Sequence, residues 1–151
     1  MNTNQRKQHK HPCSTCPFLR SSVPGELGGS PVQTFIGQCY GSFWIPCHEV
    51  IDYDDPNWKT NYNTPQCAGA AIYRANVYRD SIRRPGQLLS LPEDFDKVFG
   101  SPAQLLAHHT GCTIASARVQ LEFCPDYAHH HHELLRAGAK PVPANALKKG
   151  N

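Results

Sequence analysis

The sequence predicts a small, irregular α-rich or α+β domain with few or no strands, nucleated by a four-cysteine metal or iron–sulfur site. Three observations lead there. Seven cysteines stand among 13 prolines and 11 glycines in 151 residues, a loop-rich composition. Hydrophobic residues make up 39% of the chain and mean hydropathy is −0.52, so the apolar core is modest and needs help from another source. The third is local: Cys13-Ser14-Thr15-Cys16-Pro17-Phe18 places two sulfurs two residues apart with a proline after the second, a turn suited to aiming both at one metal.

The bulk numbers narrow the setting. A chain of this length is one domain by default. No apolar run approaches the roughly 20 residues that span a bilayer, so no membrane role is expected. Met1–His11 is polar and basic, without the apolar core of a secretory signal. A cytoplasmic setting is therefore expected, where clustered cysteines bind metal more often than they form disulfides. The odd cysteine count also fits a disulfide framework poorly. Net charge is only +3, a mild bias and not the footprint of a nucleic-acid binder.

Taken in order, residues 1–11 read as a flexible basic arm, 12–138 as one metal-nucleated domain and 139–151 as a flexible tail. Residues 19–29 carry loop chemistry in Ser21-Ser22, Pro24-Gly25 and Gly28-Gly29. Ser30 and Pro31 then open a helix with Val32, Phe35, Ile36 and Cys39 at helical spacing, and Gly41 ends it. Phe43-Trp44-Ile45 is a short apolar run before Pro46-Cys47-His48. Residues 52–66 form a long loop with Asp52, Asp54 and Asp55, read as solvated, and with Trp58 and Tyr62 as packing points.

The most regular helix is expected over 66–84, with Ala71, Ala75, Tyr78 and Ile82 on one stripe and Cys67 in the first turn. Pro85-Gly86 stops it. A short helical segment follows near 92–99. Ser101-Pro102 starts another helix through Leu105, Leu106 and His109, closed by Gly111. Thr113–Phe123 fits a strand or a helix. Pro125–Ala137 reads as a last helix before Gly138.

The ligand candidates are Cys13, Cys16, Cys47 and Cys67. Thiolates serve structural zinc and iron–sulfur clusters alike, and either would tie three distant segments together. Zinc ribbons usually bring two close pairs. One close pair, two singletons and the flanking prolines make a 4Fe-4S cluster the first expectation and zinc the second. A thiolate at the start of a helix would also sit at the positive end of its dipole.

Cys39 reads as an ordinary buried residue on a helix stripe, and Cys112 likewise. Cys124, before Pro125, is a reserve ligand. His48 is a candidate ligand or a hydrogen-bond donor to the site. Arg74 and Asn76, on the Cys67 helix, are candidates for offsetting the cluster charge or holding a ligand. His129–His132 and His108-His109 read as solvated helix faces, where at most His129 and His132 share a side.

With these residues laid out, the chain resembles a family of small cysteine-rich bacterial and phage proteins of unknown function. The shared elements are C-x-x-C-P-F, P-C-H and C-A-G-A-A-I-(F/Y)-R-A-N, here Cys13–Phe18, Pro46–His48 and Cys67–Asn76. The resemblance covers roughly residues 12–80. It implies that Cys13, Cys16, Cys47 and Cys67 form one site with His48, Arg74 and Asn76 near it, and it brings no known reaction.

Three functions follow as expectations. One is an iron–sulfur protein acting on nucleic acid or a partner protein in a phage or bacterial setting. The second is a cluster-dependent enzyme modifying a base or nucleotide, with one labile coordination position. The third is a structural zinc protein in which the metal supplies only folding energy. No P-loop, dinucleotide fingerprint or Ser/His/Asp arrangement is present in the sequence.

Overall fold

The computed structural model describes residues 9–40, 45–58, 64–78 and 89–123. Among these residues four helices follow in order: α1 (Val32–Tyr40), α2 (Ala68–Tyr78), α3 (Pro102–Thr110) and α4 (Ile114–Glu122). Among the described residues the helix-rich, strand-poor class holds. Extended pairing there shrinks to two isolated antiparallel bridges, Leu19 with Val98 and Pro46 with Gln66. No described helix is long and apolar enough to cross a membrane. Cys124, the His129–His132 run and the helix expected over 125–137 lie outside the described residues.

Helix α2 is the centre of the fold. The single apolar stripe expected for it is replaced by burial all round, with Ala68 through Val77 buried. Small residues make this possible: Gly69, Ala70, Ala71 and Ala75 let neighbouring segments approach the backbone from several sides. On one flank Phe18 meets Tyr73 at 5.4 Å and Phe35 of α1 edge-on at 5.9 Å between ring centroids. Val98, Phe99, Leu105 and Leu106 complete the core.

A helix buried on all sides must satisfy its polar side chains internally. Arg74, 3% exposed, donates from Nε to the Cys39 carbonyl at 3.1 Å and from Nη2 to the Gln38 carbonyl at 2.9 Å. Those carbonyls close the C-terminal turn of α1, where unpaired acceptors and the negative dipole end favour a cation. Asn76, fully buried, accepts from the Asp94 amide at 2.9 Å. Its Nδ2 donates to the carbonyls of Asp94, Val98 and Phe99 at 3.1, 3.3 and 3.1 Å. One side chain thus does for segment 94–99 what a strand ladder would do elsewhere.

That segment is not the short helix expected near 92–99. It is one turn, in which the Asp94 carboxylate accepts from the amides of Asp96 and Lys97, each at 3.1 Å. Helix α3 follows its sequence signals. Ser101 caps it by accepting from the Gln104 amide at 3.1 Å, Gln104 Oε1 reaches back to the Gly100 amide at 2.8 Å, and Pro102 opens it. Gly111 closes it with φ +74°, a left-handed conformation that glycine adopts without strain. The ambiguous stretch after it is a helix, α4, because the Thr113 hydroxyl accepts from the Ser116 amide at 3.1 Å.

Candidate metal centre

Each cysteine of the expected set is placed by a different local device. The Cys13–Cys16 turn closes through Cys16 N–H to the Cys13 carbonyl at 3.1 Å, and Leu19 N–H bonds the Cys16 carbonyl at 3.1 Å. Cys47 and Cys67 flank the Pro46–Gln66 bridge. Cys47 N–H donates to the Pro65 carbonyl at 2.8 Å and Cys67 N–H to the Ile45 carbonyl at 2.7 Å, which sets the two residues on neighbouring strands of chain. Cys67 stands just before α2 rather than in its first turn. Its carbonyl accepts from the Ala71 amide at 3.2 Å and its sulfur from the Ala70 amide at 3.4 Å, so it acts as the helix N-cap.

Two of the sulfurs meet. Cys16 Sγ and Cys67 Sγ are 3.6 Å apart. Cys13 and Cys47 lie close enough to the pair to perturb, and be perturbed by, the ionisation of their neighbours. Cys16, Cys47 and Cys67 are buried, whereas Cys13 reaches the surface. Gly69 makes the meeting possible. A Cβ there would collide with Cys16 Sγ and stand 3.1 Å from Phe18 Cβ and 3.7 Å from Cys67 Sγ.

The thiols are perturbed in opposite directions. Cys16 is pushed well up by its side-chain interactions with Cys13 and Cys67, with burial adding to the effect. Cys13 is lowered to about 6, chiefly by the Cys16 S–H, helped by His48 and the Thr15 hydroxyl and opposed by burial and by Glu49. Cys67 is lowered by Cys16 and by the Ala70 and Gly69 amides, against its burial. Burial pushes Cys47 up to about 11.

His48 lies on the exposed side of the group. Cys13, His48 and Glu49 each offer a donor atom within 4.8 Å of the others. Thr15 Oγ1 donates to Glu49 Oε1 at 2.7 Å, so its 2.9 Å contact with His48 Nε2 has the imidazole as donor. Arg74 and Asn76 face other tasks, since their hydrogen bonds go to the end of α1 and to segment 94–99. Asp52 and Asp55 cap their own turns through the Asp54 and Asn57 amides at 3.0 and 2.9 Å.

Sequence reasoning missed His109. Expected on a solvated face, it is buried, and its ring supports the cysteine turn from behind. The Gly25 amide donates to Nδ1 at 3.0 Å, which leaves the proton on Nε2 to bond the Pro17 carbonyl at 2.8 Å. His108 Nε2 reaches the Ser22 carbonyl at 2.7 Å beside it. Burial lowers the His109 pKa. Only the helical placement of the pair between Leu106 and Gly111 hinted at an inward position.

No protein-family model, curated protein or solved structure matches this chain.

Proposed function

We propose that this protein holds one metal ion on the thiolates of Cys13, Cys16, Cys47 and Cys67, and that zinc is the metal. The single observation that carries this is the 3.6 Å separation of the Cys16 and Cys67 sulfurs. Four thiolates at a Zn–S bond of about 2.3 Å stand about 3.8 Å apart at tetrahedral angles. A 4Fe-4S cubane puts each thiolate on a different iron and holds the sulfurs further apart. The spacing of this one pair therefore supports the second expectation over the first.

The chemistry of the donors agrees. Zinc displaces the protons on Cys16 and Cys47, so loading releases acid. Four thiolates around one divalent ion leave net negative charge in a buried place. The Ala70 and Gly69 amides at the start of α2 face that charge at Cys67. The ion ties together the 13–18 turn, the Pro46–Cys47 segment and the start of α2, and so supplies folding energy that a modest core does not.

Basic residues that could serve a nucleic-acid or protein partner, Arg6, Lys7, Arg79, Arg83 and Arg84, lie outside the described residues. Arg74 is buried at the end of α1.

Metal and acid-labile sulfide analysis on protein purified without oxygen tests the reading. At least one zinc per chain, no sulfide and no visible colour is the expected result. A brown protein with about four irons and four sulfides would overturn zinc in favour of the cubane. Cys67→Ser should lose the metal and Cys39→Ser should keep it. Equal metal content in both would sink the ligand assignment.

A further inference from the structure

We propose a second, outer metal site formed by Cys13, His48 and Glu49, which takes a divalent ion of the zinc, cobalt or nickel class. It rests on the four-thiolate reading in one respect, that the Cys13 sulfur is shared between the inner and the outer ion.

Geometry comes first. The three donor atoms lie within 4.8 Å of one another. Ligands about 2.0–2.3 Å from one ion stand roughly 3.3–3.8 Å apart at tetrahedral angles, so a small adjustment of surface side chains closes the set. Glu49 is exposed and His48 and Cys13 half-buried, so all three are free to make it and an ion reaches them from solvent.

The donor set selects the ion. One sulfur, one imidazole nitrogen and one carboxylate oxygen suit borderline divalent metals. Magnesium and calcium prefer oxygen alone, and copper(I) prefers sulfur. A fourth position is left to water, as at sites where the metal exchanges or reacts rather than only supporting the fold.

The supporting contacts match what metal ligands require. The Thr15 hydroxyl bonds both the His48 ring and the Glu49 carboxylate, at 2.9 and 2.7 Å, and lies 3.9 Å from Cys13 Sγ. One side chain thereby orients two ligands beside the third. Thr15 sits inside the Cys13–Cys16 turn, so the outer ligands are fixed relative to the inner sulfurs by the turn itself. Because Cys16, Cys47 and Cys67 are buried, Cys13 is the sulfur through which the outer ion meets the inner one.

Cobalt(II) titration of the full chain tests this, read by sulfur-to-cobalt charge-transfer absorbance and electron paramagnetic resonance. Histidine-only sites elsewhere add no charge-transfer intensity, so they do not mimic the signal. The wild type should show two successive charge-transfer steps, with partial loss of the resonance signal in the second as the shared thiolate couples the two ions. His48→Ala combined with Glu49→Gln should remove the second step and leave the first. Cys67→Ser should weaken the first and keep a sulfur-bearing step that depends on His48 and Glu49. A single step that survives His48→Ala/Glu49→Gln, or a second step that survives it, overturns the outer site and leaves the inner one standing. A single step that is lost with His48 and Glu49 and unmoved by Cys67→Ser overturns the inner site and leaves the outer one.

Discussion

Gly69 and Cys16 occupy each other's space: the sulfur sits where a side chain at 69 would begin. In most helices glycine to alanine gains about 1 kcal/mol. Here the sign reverses, because the displaced atom belongs to a sulfur already fixed against Cys67 at 3.6 Å. Gly69→Ala should destabilise the metal-loaded protein by about 1–3 kcal/mol and weaken metal retention against a chelator. Urea denaturation and chelator competition on the same preparations check it. A stabilised variant with normal retention would show that the sulfur has room to move.

Arg74 separates a structural role from one at the metal. Its guanidinium bonds the Gln38 and Cys39 carbonyls at the end of α1. Arg74→Met should cost about 3 kcal/mol, since two charge-assisted bonds are lost and two acceptors are left buried. Metal per folded chain should stay at the wild-type value. Loss of metal with stability unchanged would instead put Arg74 in service of the site.

Asn76 makes a local prediction. Asn76→Ala removes the acceptor of the Asp94 amide and the donor shared by three carbonyls. The expected cost is about 2–4 kcal/mol. Hydrogen exchange should quicken at the amides of Val98 and of Arg20, which bond the carbonyls of Asp94 and Lys97. Protection that stays as it was would mean the turn holds itself without α2.

His109 predicts a pH dependence. Burial lowers its folded pKa, so on acidification the unfolded chain takes up the proton first. Stability from this group is complete above about pH 6.5, the ordinary imidazole value, and falls as pH drops below it. A proton on Nδ1 would also confront the Gly25 amide that bonds it at 3.0 Å. His109→Gln should flatten the loss of stability between about pH 6.5 and 5 relative to wild type, measured by urea unfolding across that range. An unchanged slope would mean that other groups set the acid limit.

Local signals in the sequence were enough for the helix-rich, strand-poor class and for several element ends. Ser101-Pro102 and Gly111 bound α3 as their backbone preferences require, and the Cys13–Cys16 turn forms within its own few residues. The same signals misled at 92–99, where the Asp94 carboxylate ends a turn before a helix can propagate. They also suggested a striped α2, because periodicity assumes one face in water. Small residues let that helix be enclosed instead.

Residue type and spacing alone determined which side chains could carry metal chemistry. Tertiary structure decided which of them meet and what the others do. Arg74 bonds a carbonyl 35 residues away, Cys16 meets a sulfur 51 residues on, and His109 reaches a turn 92 residues back. Such partners are chosen by the free energy of burying polar groups inside one enclosed core, a property of the whole packed chain that no local pattern contains.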